Sequence, residues 1–402
     1  MTNRHYQVLI IGGGTAGITV AARLRNADKN LDIAVVEPSS KHYYQPLWTL
    51  VGAGIVKKEI TERQEERYIP KGVHWVKNYV TSLEPDQNSV TLADKTHISY
   101  DYLVMAPGIQ LDWDRVKGLK DTIGKNGVCS NYAYNEVDYT WETLRNFSGG
   151  TAIFTNPAGQ VKCGGAPQKI MYLVEDHVRK NGLRDKTEIV GAFAGSVMLG
   201  VPEINRTLEN IVRERDIHMK FHHNLCAIDG EKKEATFEVL EDGKKRLETL
   251  HFDMIHVTPP QSAPDFVKAS PLALQEGPNA GFIKVDEHTL QHPDYKNVFA
   301  LGDAAALPTA KTGAAVRKQA PVLVKNLLHL MHQEALTEQY NGYSSCPLVT
   351  AKGKLVLAEF VYGNQYKPTF PIDQTKERLD MYLLKRFVLP IMYWYGMLRG
   401  RA

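Results

Sequence analysis

Cys163 and Cys346 stand in strings that read as working parts, VKCGGAPQK and SSCPLVT, 183 positions apart. Cys163 is followed by two glycines, Ala166 and Pro167, and then by QKIMYLVEDHV. In that run Ile170, Leu173, Val174 and Val178 repeat at helical spacing. Pro167 suits a first helical turn, so Cys163 falls just before a helix N-terminus, where the dipole favours thiolate. The paired glycines let another group come close. Cys346 precedes Pro347 at the start of an apolar strand. Neither has a CxxC partner, so the two must meet across the fold to act together, and the chemistry they would then do is thiol–disulfide exchange. Cys226 lies on an alternating stretch and is expected to pack; Cys129 has no evident role. His222 and His223 point to opposite faces of a strand, so no metal site is expected.

The elements that must position such thiols begin at the N-terminus. A short apolar strand runs into Gly12, Gly14 and Gly17 and then a helical run, ITVAARLRNA. This order gives a tight turn, a close approach for a pyrophosphate and tight helix–strand packing. Glu37, twenty positions beyond Gly17, ends a second strand where an acid accepts hydrogen bonds from an adenosine ribose. YDYLVMAPG (100–108), with Ala106 and Gly108 in its turn, resembles one motif of the two-dinucleotide-binding flavoproteins. NVFALGDAAALP (297–308) resembles another, in which Gly302 forms the turn and Asp303 would hold the ribityl chain. Together these three strings indicate FAD. The place for a second, nicotinamide-binding motif reads TEIVGAFAGSVMLG (187–200), where Gly191, Gly195 and Gly200 do not make GxGxxG and Phe193 stands where a glycine belongs. A second Rossmann-like domain without a nicotinamide site is expected.

The 402 residues allow two or three domains. A net charge of +3 gives no argument for nucleic acid, and four cysteines do not make a disulfide scaffold. No apolar run approaches the ~18 residues of a membrane span. The N-terminus MTNRHYQ leads straight into a strand, so no leader is expected and the thiols would be in a reducing compartment.

At this point the chain is similar to a known family. GGGTAG, Glu37, YYQPLW (43–48), APG, KCGGAPQK, HVTPP (256–260), ALGDAAALP, TAKT (309–312), YSSCPLVT, LAEF and FPIDQTKERLDMYLLK (370–385) together resemble the sulfide:quinone oxidoreductases, nearest to the branch that includes the mitochondrial enzymes. The resemblance covers essentially the whole chain. It implies that Cys163 and Cys346 flank the flavin and carry the sulfur chemistry. It also implies that Pro46 and Lys311 join Gly12, Gly14, Gly17, Glu37, Ala106, Gly108, Gly302 and Asp303 in binding FAD. Lys376 is implied beside the flavin and the quinone head group, where a cation would stabilise negative charge. Cys129 falls near a third cysteine of some bacterial members, but Asn131, Tyr132 and Ala133 replace the histidine that follows it there.

The C-terminal stretch from Lys376 carries six cations against Glu377 and Asp380, a balance of +4 that leaves about −1 for the rest. Within it lies FVLPIMYWYGML (387–398), too short to span a membrane but suited to lie in its interface, the alternative being a helix buried in the core. The expected architecture is α/β: an FAD domain of residues 1–112 and 252–316, a second Rossmann-like domain of 113–251, and a membrane-facing, quinone-binding region of 317–402. The expected partners are hydrogen sulfide, a membrane quinone, the membrane surface and a small-thiol or sulfite sulfur acceptor, with a homo-oligomer left open. The expected location is peripheral, on the cytoplasmic face of a bacterial-type cell membrane. Two rivals are a type-II NADH:quinone oxidoreductase, which needs an intact second GxGxxG, and a non-enzymatic flavoprotein.

Overall fold

The computed structural model describes residues 4–241 and 243–402. Its first layer is a seven-stranded sheet in the order His74–Val76, Ile33–Val36, Arg4–Ile11, His97–Met105, Ser89–Leu92, Val80–Glu84, with Val298–Ala300 added beside His97–Met105. The inner strands are parallel, and their C-terminal halves are apolar and buried (Val8, Leu9, Ile10 and Val104 are at 0% exposure), as strands covered on both faces must be. Helix α1 (Thr15–Ala27) crosses one face; its small residues Ala16, Gly17, Ala21 and Ala22 bring it close to the sheet.

A second, wholly parallel sheet has the order Val128–Cys129, Met254–His256, Gly150–Asn156, Thr187–Phe193, His218–Phe221. Helix α2 (Ala166–Lys180) connects its strands, and an antiparallel meander (His223–Asp229, Glu234–Glu241, Lys244–His251) follows. The chain passes between the two layers at the antiparallel pair Gln110–Leu111 and Gln261–Ser262. Met254–His256 therefore belongs to the second sheet, beyond the expected boundary at 252. Periodicity could not reveal this, because a three-residue apolar strand looks the same in either sheet.

Helix α3 (Gly313–Met331) then packs against α1, and Ser344–Ala351 pairs with Lys354–Val361 in a third, antiparallel sheet. Residues 379–399 form one helical segment in which α-helical turns alternate with wider π-type turns. An α-helix carries each fourth residue about 40° onward, and π turns counter that drift. As a result Leu379, Leu383, Phe387, Ile391 and Tyr395 stand in one exposed row. The opposite face buries Tyr382, Lys385, Tyr393, Trp394, Met397 and Leu398. The segment thus combines the two expected readings: one face belongs to the core and the other is exposed and apolar. Among the described residues no helix is long and apolar enough to cross a membrane.

Candidate functional site

Cys163 occupies the turn that opens α2. Its φ of +52° lies in the left-handed region, which a side chain rarely adopts and which is a mark of functional turns. Two backbone hydrogen bonds hold it there: Cys163 N–H donates to Lys311 O at 2.8 Å and Ala166 N–H donates to Cys163 O at 2.7 Å. Cys346 arrives from the third sheet, and its Sγ lies 3.7 Å from Cys163 Sγ. Gly165 is what admits it, since a Cβ there would sit 2.4 Å from Cys346 Sγ. The expected visitor to the paired glycines is therefore the second cysteine itself.

Lys169, one turn into α2, is buried and donates to Cys163 Sγ at 3.1 Å. With Cys346 also hydrogen-bonding to it, Cys163 is held well below the ordinary thiol pKa, and Cys346 is pushed up in turn. The pair is asymmetric: the surroundings favour the thiolate at Cys163 and the thiol at Cys346. Lys385, from the C-terminal segment, is likewise buried and donates to Pro46 O at 2.8 Å. Burial, with the positive charge of Lys169, pulls its amine down to about 7. Two further amines close the group. Lys162 donates to Tyr132 O at 3.2 Å, and Lys311 donates to Asp303 O at 2.7 Å and Ala305 O at 3.0 Å; burial lowers each to about 8.

Lys376 is elsewhere. Its ammonium pairs with Asp373 at 3.2 Å with the side chain 76% exposed, and the structure does not bring it to the thiols. The cation that the C-terminal segment delivers is Lys385. Sequence reasoning missed Lys169 and Lys385 because a lysine on an amphipathic helix reads as solvent-facing; only the approach of a second element buries these two. Cys129 is fully buried with its thiol pushed up to about 12, and its Sγ donates to Ile255 O. Cys226 lies in the meander, its Sγ donating to Thr236 O.

Several of the residues expected to bind FAD stand at the turns that follow strands of the first sheet. Gly12 has φ +99°, and a Cβ there would meet Ala106 O at 2.3 Å; a Cβ on Gly17 would meet Gly12 O at 1.8 Å. Gly14, by contrast, faces open space, and as N-cap it offers no side-chain cap to the first amides of α1. Free N–H groups beside an open glycine fit a pyrophosphate. Glu37 accepts from Gly13 N–H and Ser39 N–H, both at 2.7 Å, and its burial raises the carboxyl pKa. Gly108 has φ +77° and also faces open space. Asp303 lies on the turn after Val298–Ala300, where burial raises its carboxyl pKa against the pull of Lys311 and Lys162. These donors and acceptors fit a dinucleotide along the edge of the first sheet.

The second sheet has no such cradle. Phe193 is buried in the core and does not protrude into the turn. The obstruction is the loop after it. Met198 is buried and its carbonyl accepts from Gln168 Nε2 at 2.8 Å, Gly200 abuts Asn364, and the next helix starts only at Pro202. NADH and NADPH should therefore fail to bleach the bound flavin; rapid bleaching under anaerobic mixing would show a nicotinamide site that this loop should exclude.

Comparison with known proteins supplies the family. Residues 6–138 match the family model described as pyridine nucleotide-disulphide oxidoreductase. The chain is 48% identical to the mitochondrial sulfide:quinone oxidoreductase of Dictyostelium discoideum, covering 98% of this chain and 86% of that one. It is 45% identical to that of Mus musculus, covering 98% and 87%. The chain belongs to the sulfide:quinone oxidoreductase family. Its fold also superposes on the sulfide:quinone oxidoreductase of Aquifex aeolicus with a TM-score of 0.81, at 21% identity over 99% of this chain and 92% of that one. The cofactor is FAD. The relatives correct one expectation: the enzymes matched over nearly their full length are mitochondrial, which overturns a place on the cytoplasmic face of a bacterial-type cell membrane. The sequence misled there because its N-terminus was read as leaving no room for targeting.

Proposed function

We propose that the protein oxidises sulfide at the Cys163–Cys346 pair and passes the electrons to a quinone at a mitochondrial membrane. The observation that carries this reading is the close approach of two cysteines from distant elements, one of them hydrogen-bonded by the buried Lys169, beside the turn that carries Asp303 and Lys311. At 3.7 Å the two sulfurs are not bonded. Two S–S bonds of about 2.05 Å each would span that separation, so one sulfur atom can bridge them, and a direct disulfide needs only a small approach.

In the proposed cycle HS⁻ attacks one sulfur of the oxidised pair. A new S–S bond forms to make a cysteine persulfide, the bridging bond breaks, and the other cysteine leaves as thiolate. The terminal sulfur then passes to a thiolate or sulfite acceptor, leaving the pair as two thiolates. Re-forming the bridge releases two electrons. Bound FAD supplies the two-electron acceptor for them and the link to the quinone. Lys169 stabilises each thiolate as it leaves, and Gly165 keeps the second sulfur within reach.

Lys385 has a role in the quinone half of the cycle. With its pKa drawn down to about 7, it is poised to give up or take a proton near neutrality, as a general acid should be. Lys385→Met should slow reoxidation by quinone by about 10²-fold. In the unaltered protein this step should weaken as pH rises through about 7, where the lysine loses its proton. A variant reoxidised at the normal rate over that range would remove Lys385 from the reaction.

The exposed row Leu379, Leu383, Phe387, Ile391, Tyr395 is the part of the surface fitted to a bilayer, since the half-buried Arg386 and the exposed Arg399 border it with cations that suit anionic headgroups. Phe387→Ser with Ile391→Ser should release the protein from anionic vesicles while sulfide still reduces the flavin. Retained vesicle binding would place the membrane contact elsewhere. The function itself is tested by supplying sulfide and a short-chain quinone to the holoenzyme. Quinol and sulfane sulfur should form together in equal amounts; quinol formed without sulfane sulfur would refute the thiol cycle.

A further inference from the structure

The C-terminal helical segment does more than carry the apolar row, because its inner face reaches the start of the FAD cradle. Tyr393 is buried, and its hydroxyl lies 2.8 Å from Thr15 Oγ1 in the first turn of α1 and 2.6 Å from His42 Nε2. His42 Nδ1 is in turn 2.8 Å from Glu65 Oε2, with both side chains buried. Tyr393, His42 and Glu65 thus form one buried hydrogen-bonded series that ends on the hydroxyl of Thr15. Burial raises the Tyr393 phenol well above its usual pKa, so it stays a hydroxyl able to hold both neighbours.

The other end of the series also meets the cradle. Glu65 Oε1 is buried without a partner among the described residues and lies against Gly13, the middle glycine of the turn. A bound dinucleotide brings ribose hydroxyls to that turn, and an unpartnered buried carboxylate oxygen is a fitting acceptor for one. Further along α1 the same segment makes a second clamp: Asn26 Nδ2 donates to Arg399 O at 2.9 Å, and Gly400 packs against the backbone of Ala22 and Arg23. The helix that would receive the pyrophosphate is therefore held along its length by the segment whose outer face carries the exposed row.

We infer that Tyr393 is a positioning residue of the FAD site, and that through it FAD binding and membrane docking of the C-terminal segment reinforce each other. The second half rests on the membrane reading proposed above. Lipid contact on the outer face orders the segment and steadies the Tyr393–Thr15 contact, so the first turn of α1 presents its free amides in one arrangement. Linkage then requires the effect to run both ways: what docking adds to FAD affinity, FAD adds to docking.

The test is release of FAD from the diluted holoenzyme, followed by the rise in flavin fluorescence. In the unaltered protein, vesicles of phosphatidylcholine and phosphatidylserine should slow release by about tenfold, within the usual span of such couplings. Tyr393→Phe keeps the ring against Tyr44 and Trp394 and removes only the hydroxyl. It should release FAD about tenfold faster in solution and lose the response to vesicles, whereas a tyrosine that merely packs would leave that response unchanged. Ile391→Ser, on the outer face, should also lose the response. Equal release by Tyr393→Phe and the unaltered protein in solution would overturn the positioning role. Release indifferent to vesicles that do bind the protein would overturn the coupling alone. If vesicles fail to bind at all while Tyr393→Phe still releases FAD faster, positioning stands and the coupling falls with the membrane reading.

Discussion

Cys163→Ser and Cys346→Ser should each abolish reduction of the bound flavin by sulfide, a loss on the order of 10³-fold or more, as when either member of a catalytic pair is removed. Serine reproduces the size of the side chain but forms no bond to sulfur, so neither a bridge nor a persulfide exchange can occur. The two losses should also fail to add, because each removes the same bond. FAD should remain bound in both variants, since the cradle from Gly12 to Glu37 and the Asp303 turn share no side chain with either cysteine. Cys226→Ser should keep most activity, because that thiol only caps a carbonyl in the meander. Near-normal turnover in Cys346→Ser would reduce that residue to packing and break the account.

The second large effect belongs to Lys169, whose substitution by methionine preserves bulk and helical propensity while removing the ammonium 3.1 Å from Cys163 Sγ. The depressed pKa of Cys163 rests on its hydrogen bond from Cys346 and on this cation, and burial alone would raise it. Without the charge, the thiolate should need a higher pH to form. A neighbouring opposite charge commonly moves a pKa by 1–3 units, so the acid limb of sulfide-driven flavin reduction should move up by about 2 units. On that limb, below the shifted pKa, each unit is tenfold in thiolate, so the variant should run about 10²-fold behind the unaltered protein there. Activity should recover as pH rises, and this recovery separates a lost charge from a damaged fold. An unshifted limb in Lys169→Met would mean that the thiolate owes nothing to Lys169.

How far these features could be read from the sequence depended on whether they are local. The glycine turn, Glu37 and Asp303 are short strings whose backbone requirements are written in adjacent residues, and the two cysteines stood out through their glycine and proline neighbours. The charges around them were not legible in the same way. Lys376 and Lys385 are nine positions apart in one basic stretch, and only the packing of residues 379–399 onto the body of the protein decides that Lys385 is buried and Lys376 exposed. The same holds for the C-terminal aromatics. Tyr393 and Tyr395 read alike in YWYG, yet one turns in to Thr15 and His42 while the other joins the exposed row. The irregular glycines of the second nucleotide motif were visible, but the packing around them was not. Phe193 is an ordinary core residue, and the loop after it is held by Gln168 and abuts Asn364.

The most direct test of the central claim is anaerobic rapid mixing of the FAD-loaded protein with sulfide, and separately with NADH, while the flavin absorbance is followed. The thiol pair and the filled second site predict that sulfide bleaches the flavin within the time of a single turnover and that NADH leaves it oxidised. A flavin bleached by NADH and untouched by sulfide would contradict the account at its root.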